Sequence, residues 1–170
     1  MRMNEGVEWA VHCAVLLAAL PEGLVLPAAR LAEYHGVPAP YLAKSLQALT
    51  RAGIVESTTG RHGGYRLGRA ASGITLLHIV EAIEGDASFF QCTEIRRRGP
   101  SRVAARAYTS TCGIAAAMWQ AEEAWRDELR QVTVADLARQ TMRHAPPAAL
   151  GKSITWITQV LETRRPPAPG

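Results

Sequence analysis

Two cysteines pose the first chemical question. Cys92 and Cys112 flank an irregular stretch that contains the basic run "RRRGPSR" (96–102). Nearby arginine charge favours the thiolate, the form that is nucleophilic and binds metal. The pair has three uses: two incidental thiols, a thiol–disulfide switch, or half of a metal site. A two-iron cluster takes four protein ligands, two on each iron, and histidine can replace cysteine on one of them. The third cysteine, Cys13, lies in an apolar segment and is set aside.

The stretch "EGVEWAVHCAV" (5–15) holds other donor types. Glu8 and His12 are four residues apart, so on a helix they stand about 40° apart and can address one site. The same spacing suits an exposed Glu–His ion pair worth about a few tenths of a kcal/mol. Spacing leaves both uses open.

These side chains need a scaffold, and the hydrophobic periodicity describes one. Residues 7–20 read as a first helix, apolar nearly all round, which ends before Pro21 and Gly23. Pro27 can open a second helix with Ala28, Leu31 and Ala32 inward, and Gly36 can supply the turn after it. A third helix starts near Pro38–Pro40, carries the stripe Leu42, Leu46, Leu49 and Ile54, and closes at Gly53. Two short helices joined at a glycine form the helix-turn-helix pattern, with an ordinary helical hairpin as the alternative. "IVESTTGRHGGYRLGR" (54–69) then alternates, turns on a basic glycine-rich tip and returns, which reads as a β-hairpin wing.

Beyond the wing, "ITLLHIVEAIEG" (74–85) is an amphipathic helix with Leu76, Ile79, Val80 and Ile83 inward and His78 as a structural histidine. Residues 86–112 show no periodicity, and an irregular stretch of this length inside a compact domain is usually functional or disordered. A long helix follows over 113–132, with an apolar stripe of Ile114, Met118, Trp125 and Leu129 and with Trp119 at its edge. That stripe exceeds what one small domain needs, so a second copy is its expected cover. "TVADLARQTM" (133–142) reads as a short capped helix, residues 154–161 as an amphipathic segment, and "RRPPAPG" (164–170) as a disordered tail. The expected fold class is mostly α: a winged helix-turn-helix with a long dimerisation helix and a cysteine-bearing loop. The expected divisions are a DNA-binding domain over 1–85, a cluster-binding loop over 86–112, dimerisation and short helices over 113–145, and a C-terminal segment over 146–170.

The winged helix, the "GGY" of the wing and the cysteine-bearing loop before a long helix resemble the Rrf-type regulators, the family of IscR and NsrR. The resemblance covers roughly residues 5–142. It implies a homodimer on palindromic DNA operators, with an iron–sulfur cluster on the loop in many members. Most cluster-binding members have three closely spaced cysteines there, and this chain departs from that pattern. "GVEWAVHC", "CTEIRRRGP" and "CGIAAAM" are instead similar to the redox-sensing branch represented by RsrR. That resemblance implies a [2Fe–2S] cluster shared across the dimer, with Cys92 and Cys112 of one subunit on one iron and Glu8 and His12 of the other subunit on the second. Trp9 matches a tryptophan that in that branch changes position with cluster oxidation state. The implied function is a redox-sensing transcription regulator whose cluster controls operator binding.

Residues at the start of the third helix, Ala39, Pro40, Tyr41 and Lys44, with Gln47 one turn on, are placed to enter the major groove of double-stranded DNA. Lys44 and Arg51 suit phosphates. Gln47 can read an adenine edge or merely face solvent. At the wing tip, Arg61 and His62 are candidates for the minor groove or the backbone, and Gly63 and Gly64 would allow close approach. The modest basic balance, net charge +4 and pI ≈ 9.3, suits a polyanion without requiring one.

Few, scattered cysteines argue against a secreted disulfide framework and favour a reducing cytoplasm. No apolar run approaches the roughly 20 residues of a membrane span, and residues 14–20 lack the basic start of a signal peptide. No oxyanion-forming loop is legible, so an enzyme is not expected. Two alternatives stand beside the cluster reading: a cluster-free regulator with a Cys92/Cys112 thiol–disulfide or zinc switch, and a winged-helix module that binds a protein.

Overall fold

A computed structural model of the chain describes residues 3–60 and 63–162. Seven helices and one hairpin appear in it, and each end has a local cause. α1 (Glu5–Ala18) begins two residues before the apolar periodicity does, because the Asn4 side chain caps it by accepting from the Gly6 amide at 2.8 Å. α2 (Ala28–His35) follows Pro27 and ends at Gly36, whose φ of 65° is the left-handed turn of the helix-turn-helix. α3 (Ala39–Arg51) has Pro40 in its first turn, where a missing N–H costs nothing. The wing is an antiparallel pair, β1 (Val55–Thr58) and β2 (Gly64–Leu67), with Val55 opposite Leu67 and Thr58 opposite Gly64.

α4 (Leu76–Glu84) starts at a capping box: the Thr75 hydroxyl accepts from the His78 amide, and His78 Nδ1 accepts from the Thr75 amide at 3.0 Å. This gives His78 its structural role. It also sets the phase of α4, so Leu77 is buried with Ile79 and Val80, while Leu76, expected inward, is only half-buried. α5 (Gly113–Gln131), α6 (Val134–His144) and α7 (Pro147–Glu162) complete the chain. α7 begins seven residues earlier than the amphipathic segment read from the sequence. The tail at 164–170 lies outside the described residues, and among those described no helix is long and apolar enough to cross a membrane.

One core unites α1, α2, α3 and the wing. Leu31, Leu42, Leu46, Leu49 and Ile54 are fully buried in it. α6 also packs on α1, and a bridge between Thr75 and Thr133 carries the chain back from α5, so Val134 joins the same core. The short helix therefore shares the packing of the N-terminal unit, although the sequence grouped it with the long helix. α5 contributes little to this core. Ile114 and Met118 on it are 69% and 45% exposed.

Candidate functional site

The DNA-reading candidates form one exposed helix face. Burial of Leu42, Leu46 and Leu49 turns the opposite side of α3 outward, and that side carries Ala39, Pro40, Tyr41, Lys44, Gln47 and Arg51. Lys44 Nζ lies 5.7 Å from the centre of the Tyr41 ring, a cation–π contact that holds both side chains at the helix start. Trp9 of α1 is half-buried and lines the same groove as Tyr41, Lys44 and Arg51. Arg61 and His62 lie outside the described residues. Gly63 and Gly64 answer first to the hairpin itself. A Cβ on Gly64 would lie 2.6 Å from the Leu26 carbonyl carbon, and one on Gly63 would collide with the Thr58 carbonyl oxygen. Close backbone packing within the chain dictates both glycines.

Glu8 and His12 both stand on the exposed side of α1. Among the described residues no ion pair joins them, so the exposed Glu–His pair is not formed. His12 instead faces His35 at the end of α2, with ring centres 5.7 Å apart. The Nε2 of His35 is buried and finds no hydrogen-bond partner among the described residues. Burial, reinforced by the nearby His12, pushes the His35 imidazole down to about 4, so it is neutral at pH 7. This contact joins the middle of α1 to the end of α2, so no local pattern in the chain announces it.

Cys92 and Cys112 are both half-buried and unbridged. Cys112 is the N-cap of α5; its sulfur makes no full capping hydrogen bond. The free amides of Ala115 and Ile114 nonetheless hold its thiol below the ordinary range, and the Arg96 guanidinium adds to this. Arg96 interacts with the charge of both cysteines. It is positioned by Glu94 at 2.8 Å, by the Ser110 carbonyl at 2.6 Å and by stacking over Tyr108 at 5.1 Å. Glu94 itself has φ 51°, the only positive value at a non-glycine residue among those described. Arg96 is thus held where its charge is coupled to both loop cysteines. Cys13 is the opposite case: it is fully buried, and burial pushes its thiol up to about 12.

The two donor pairs do not meet. Among the described residues no three His, Cys, Asp or Glu side chains come together in a way that could hold a metal ion. Each pair alone is two ligands short of a two-iron cluster.

A helix-turn-helix followed by a two-stranded wing, with an exposed basic and aromatic face on its second helix, defines a DNA-binding transcription regulator of the winged-helix class. Residues 3–140 match the Rrf2 family, described as iron-dependent transcriptional regulators, and the chain belongs to that family. Its members are transcription regulators, not enzymes. Protein aau3 of Rhizobium meliloti is 36% identical over 140 residues, which cover 82% of this chain and 86% of that one. Among solved structures, CymR, the global cysteine regulator of B. subtilis, aligns with a TM-score of 0.65 at 22% identity over 83% of this chain and 98% of its own. T. potens IscR aligns at 0.64 and 20% identity, over 86% of this chain and 92% of its own. At these identities the structural likeness is one of fold.

Proposed function

We propose that this regulator senses redox state through a [2Fe–2S] cluster shared by two copies of the chain, each copy giving one donor pair to each site. The observation that carries this reading is the chemistry of the two pairs. Arg96 interacts with the charge of both Cys92 and Cys112, and Cys112 is tuned toward the thiolate, while Glu8 and His12 stand exposed on α1 without bonding each other. The residues present fit the group: thiolates suit one iron, and imidazole with carboxylate offers harder ligands to the other. When bound, the cluster would supply one-electron chemistry. The chain's own part is to present the thiolates, to hold His12 against neutral His35, and to keep Trp9 beside the reading face of α3. The exposed Ile114 and Met118 on α5 favour a second copy as the cover that completes the site. Operator binding by α3 and the wing then depends on how the two reading heads are spaced.

Protein purified without oxygen should be coloured, with iron and sulfide in equal amounts, and should bind its operator with different affinity when oxidised and reduced. His12→Ala should lose the cluster or its redox response, and Cys13→Ala should keep both. A colourless protein would defeat the cluster reading. A zinc-containing one would favour the Cys92/Cys112 switch.

A further inference from the structure

Residues 86–90, the segment that leads into Cys92, are fastened to α5 more firmly than any other part of the loop. Ser88 Oγ and the Phe89 amide both donate to Glu122 Oε2, at 2.6 and 3.1 Å. Trp119 Nε1 donates to the Phe90 carbonyl at 3.0 Å, and the Phe89 ring meets Trp125 edge-on at 5.0 Å. Arg126 closes the arrangement with its fork of donors. Nη2 reaches the Asp86 carbonyl at 3.1 Å, Nε reaches Glu122 at 3.3 Å, and Nη1 reaches Glu81 of α4 at 2.7 Å. The side chains of Arg126 and Glu122 are only 11% and 10% exposed, so the ion pair between them is screened less by water than a surface pair. α4 in turn packs on α3.

We propose that Arg126 and Glu81 form the joint that couples the cysteine-bearing loop to the DNA-reading helix. The path runs from Cys92 through residues 86–90 to Arg126, across the ion pair to Glu81, and through α4 to α3. Without the ion pair, α4 still packs on α3 and α5 and still continues through Gly85 into the loop, and the loop still hangs from Glu122, Trp119 and Trp125. What is lost is the polar link between them. Arg126 suits this place because one planar guanidinium serves three acceptors in different directions, which a lysine ammonium on a flexible stem does not reproduce.

The link can be tested without a cluster. In a full-length Cys112→Ser protein, N-ethylmaleimide should modify Cys92 while the buried Cys13 stays slow. That modification should change hydrogen exchange at residues 76–84 and 39–51. In Cys112→Ser/Glu81→Ala the loop should still be modified, and the change at 76–84 and 39–51 should vanish. Glu81→Gln, which keeps an acceptor oxygen for Arg126, should restore it. A cooperative melt and unchanged exchange in the unlabelled variant show that α4 remains folded. Transmission that survives Glu81→Ala overturns the joint, and so does its absence from the parent.

The redox consequence rests on the cluster reading. Glu81→Ala should keep visible absorption and iron content, while the ratio of oxidised to reduced operator affinity falls to within about twofold of unity. A preserved ratio overturns the proposal. A colourless wild type would defeat the cluster reading, and the labelling experiment would still decide the joint.

Discussion

The DNA-reading unit and the cysteine-bearing loop are built on opposite principles. The first is held by burial: α1, α2, α3 and the wing share one core of fully buried leucines and isoleucines. The second has no fully buried residue between Asp86 and Cys112 and is held by directional polar contacts, those of Arg96, Tyr108, Glu122 and Arg126. Their charges differ as well. Residues 1–85 carry seven basic and seven acidic side chains, whereas residues 86–112 carry five arginines against Asp86 and Glu94. Most of the excess positive charge of the chain therefore lies in the segment that the two cysteines bound. A close-packed core has one arrangement, while a surface loop tied by a few polar contacts can shift at low cost. The stiff part carries the reading helix, and the part that can respond carries the two cysteines.

The strongest test of this contrast is in the core. Leu46→Ala should cost about 2–5 kcal/mol in chemical denaturation, because it leaves a cavity under the reading helix. A loss well under 1 kcal/mol would mean that α3 is not held by burial. Next is the return of the chain from α5 to that core. Thr133 caps α6 in a capping box with Asp136, so Thr133→Ala should cost about 1 kcal/mol. The same cap predicts a pH effect. The Thr133 side chain, followed by its amide, holds the Asp136 carboxyl below the usual range. A carboxylate depressed in this way adds stability that is present above its unfolded-state value and is lost as pH falls through its folded one. The melting temperature should therefore drop in acid below the ordinary aspartate range, and less steeply in Asp136→Asn. The smallest effect belongs to the loop: Val103→Ala, at an exposed site, should change stability by no more than about 0.5 kcal/mol. A larger cost there would show that the loop is packed against something, a second copy being the first candidate.

Much of the reading unit was legible in the sequence. The stripe Leu42, Leu46, Leu49 and Ile54, the turn at Gly36 and the hairpin of the wing follow from periodicity and turn chemistry, which are local. The phase of α4 was misjudged at Leu76, because the cap at Thr75 and His78 depends on a side-chain geometry that periodicity does not register. Less of the loop could be read. Cys92 and Cys112 were visible as chemistry, whereas Glu122 and Arg126 are four residues apart on a long helix and drew no reading. Nothing local announced that this pair is nearly buried or that it meets Glu81, 41 and 45 residues earlier in the chain. The His12–His35 contact was hidden for the same reason.

The sequence by itself determined the element order, the exposed face of α3, and which residue types can ligate or titrate, since these depend on neighbours a few positions away. Tertiary structure decided which of those residues meet. It brought Arg96 within electrostatic reach of both cysteines, gave Cys112 the amides of a helix start, buried Cys13 beyond use as a thiolate, and set His12 on His35. It also kept the Glu8–His12 pair apart from the cysteine pair. Contacts between residues distant in the chain depend on how whole elements pack, and pattern within one element carries no record of that.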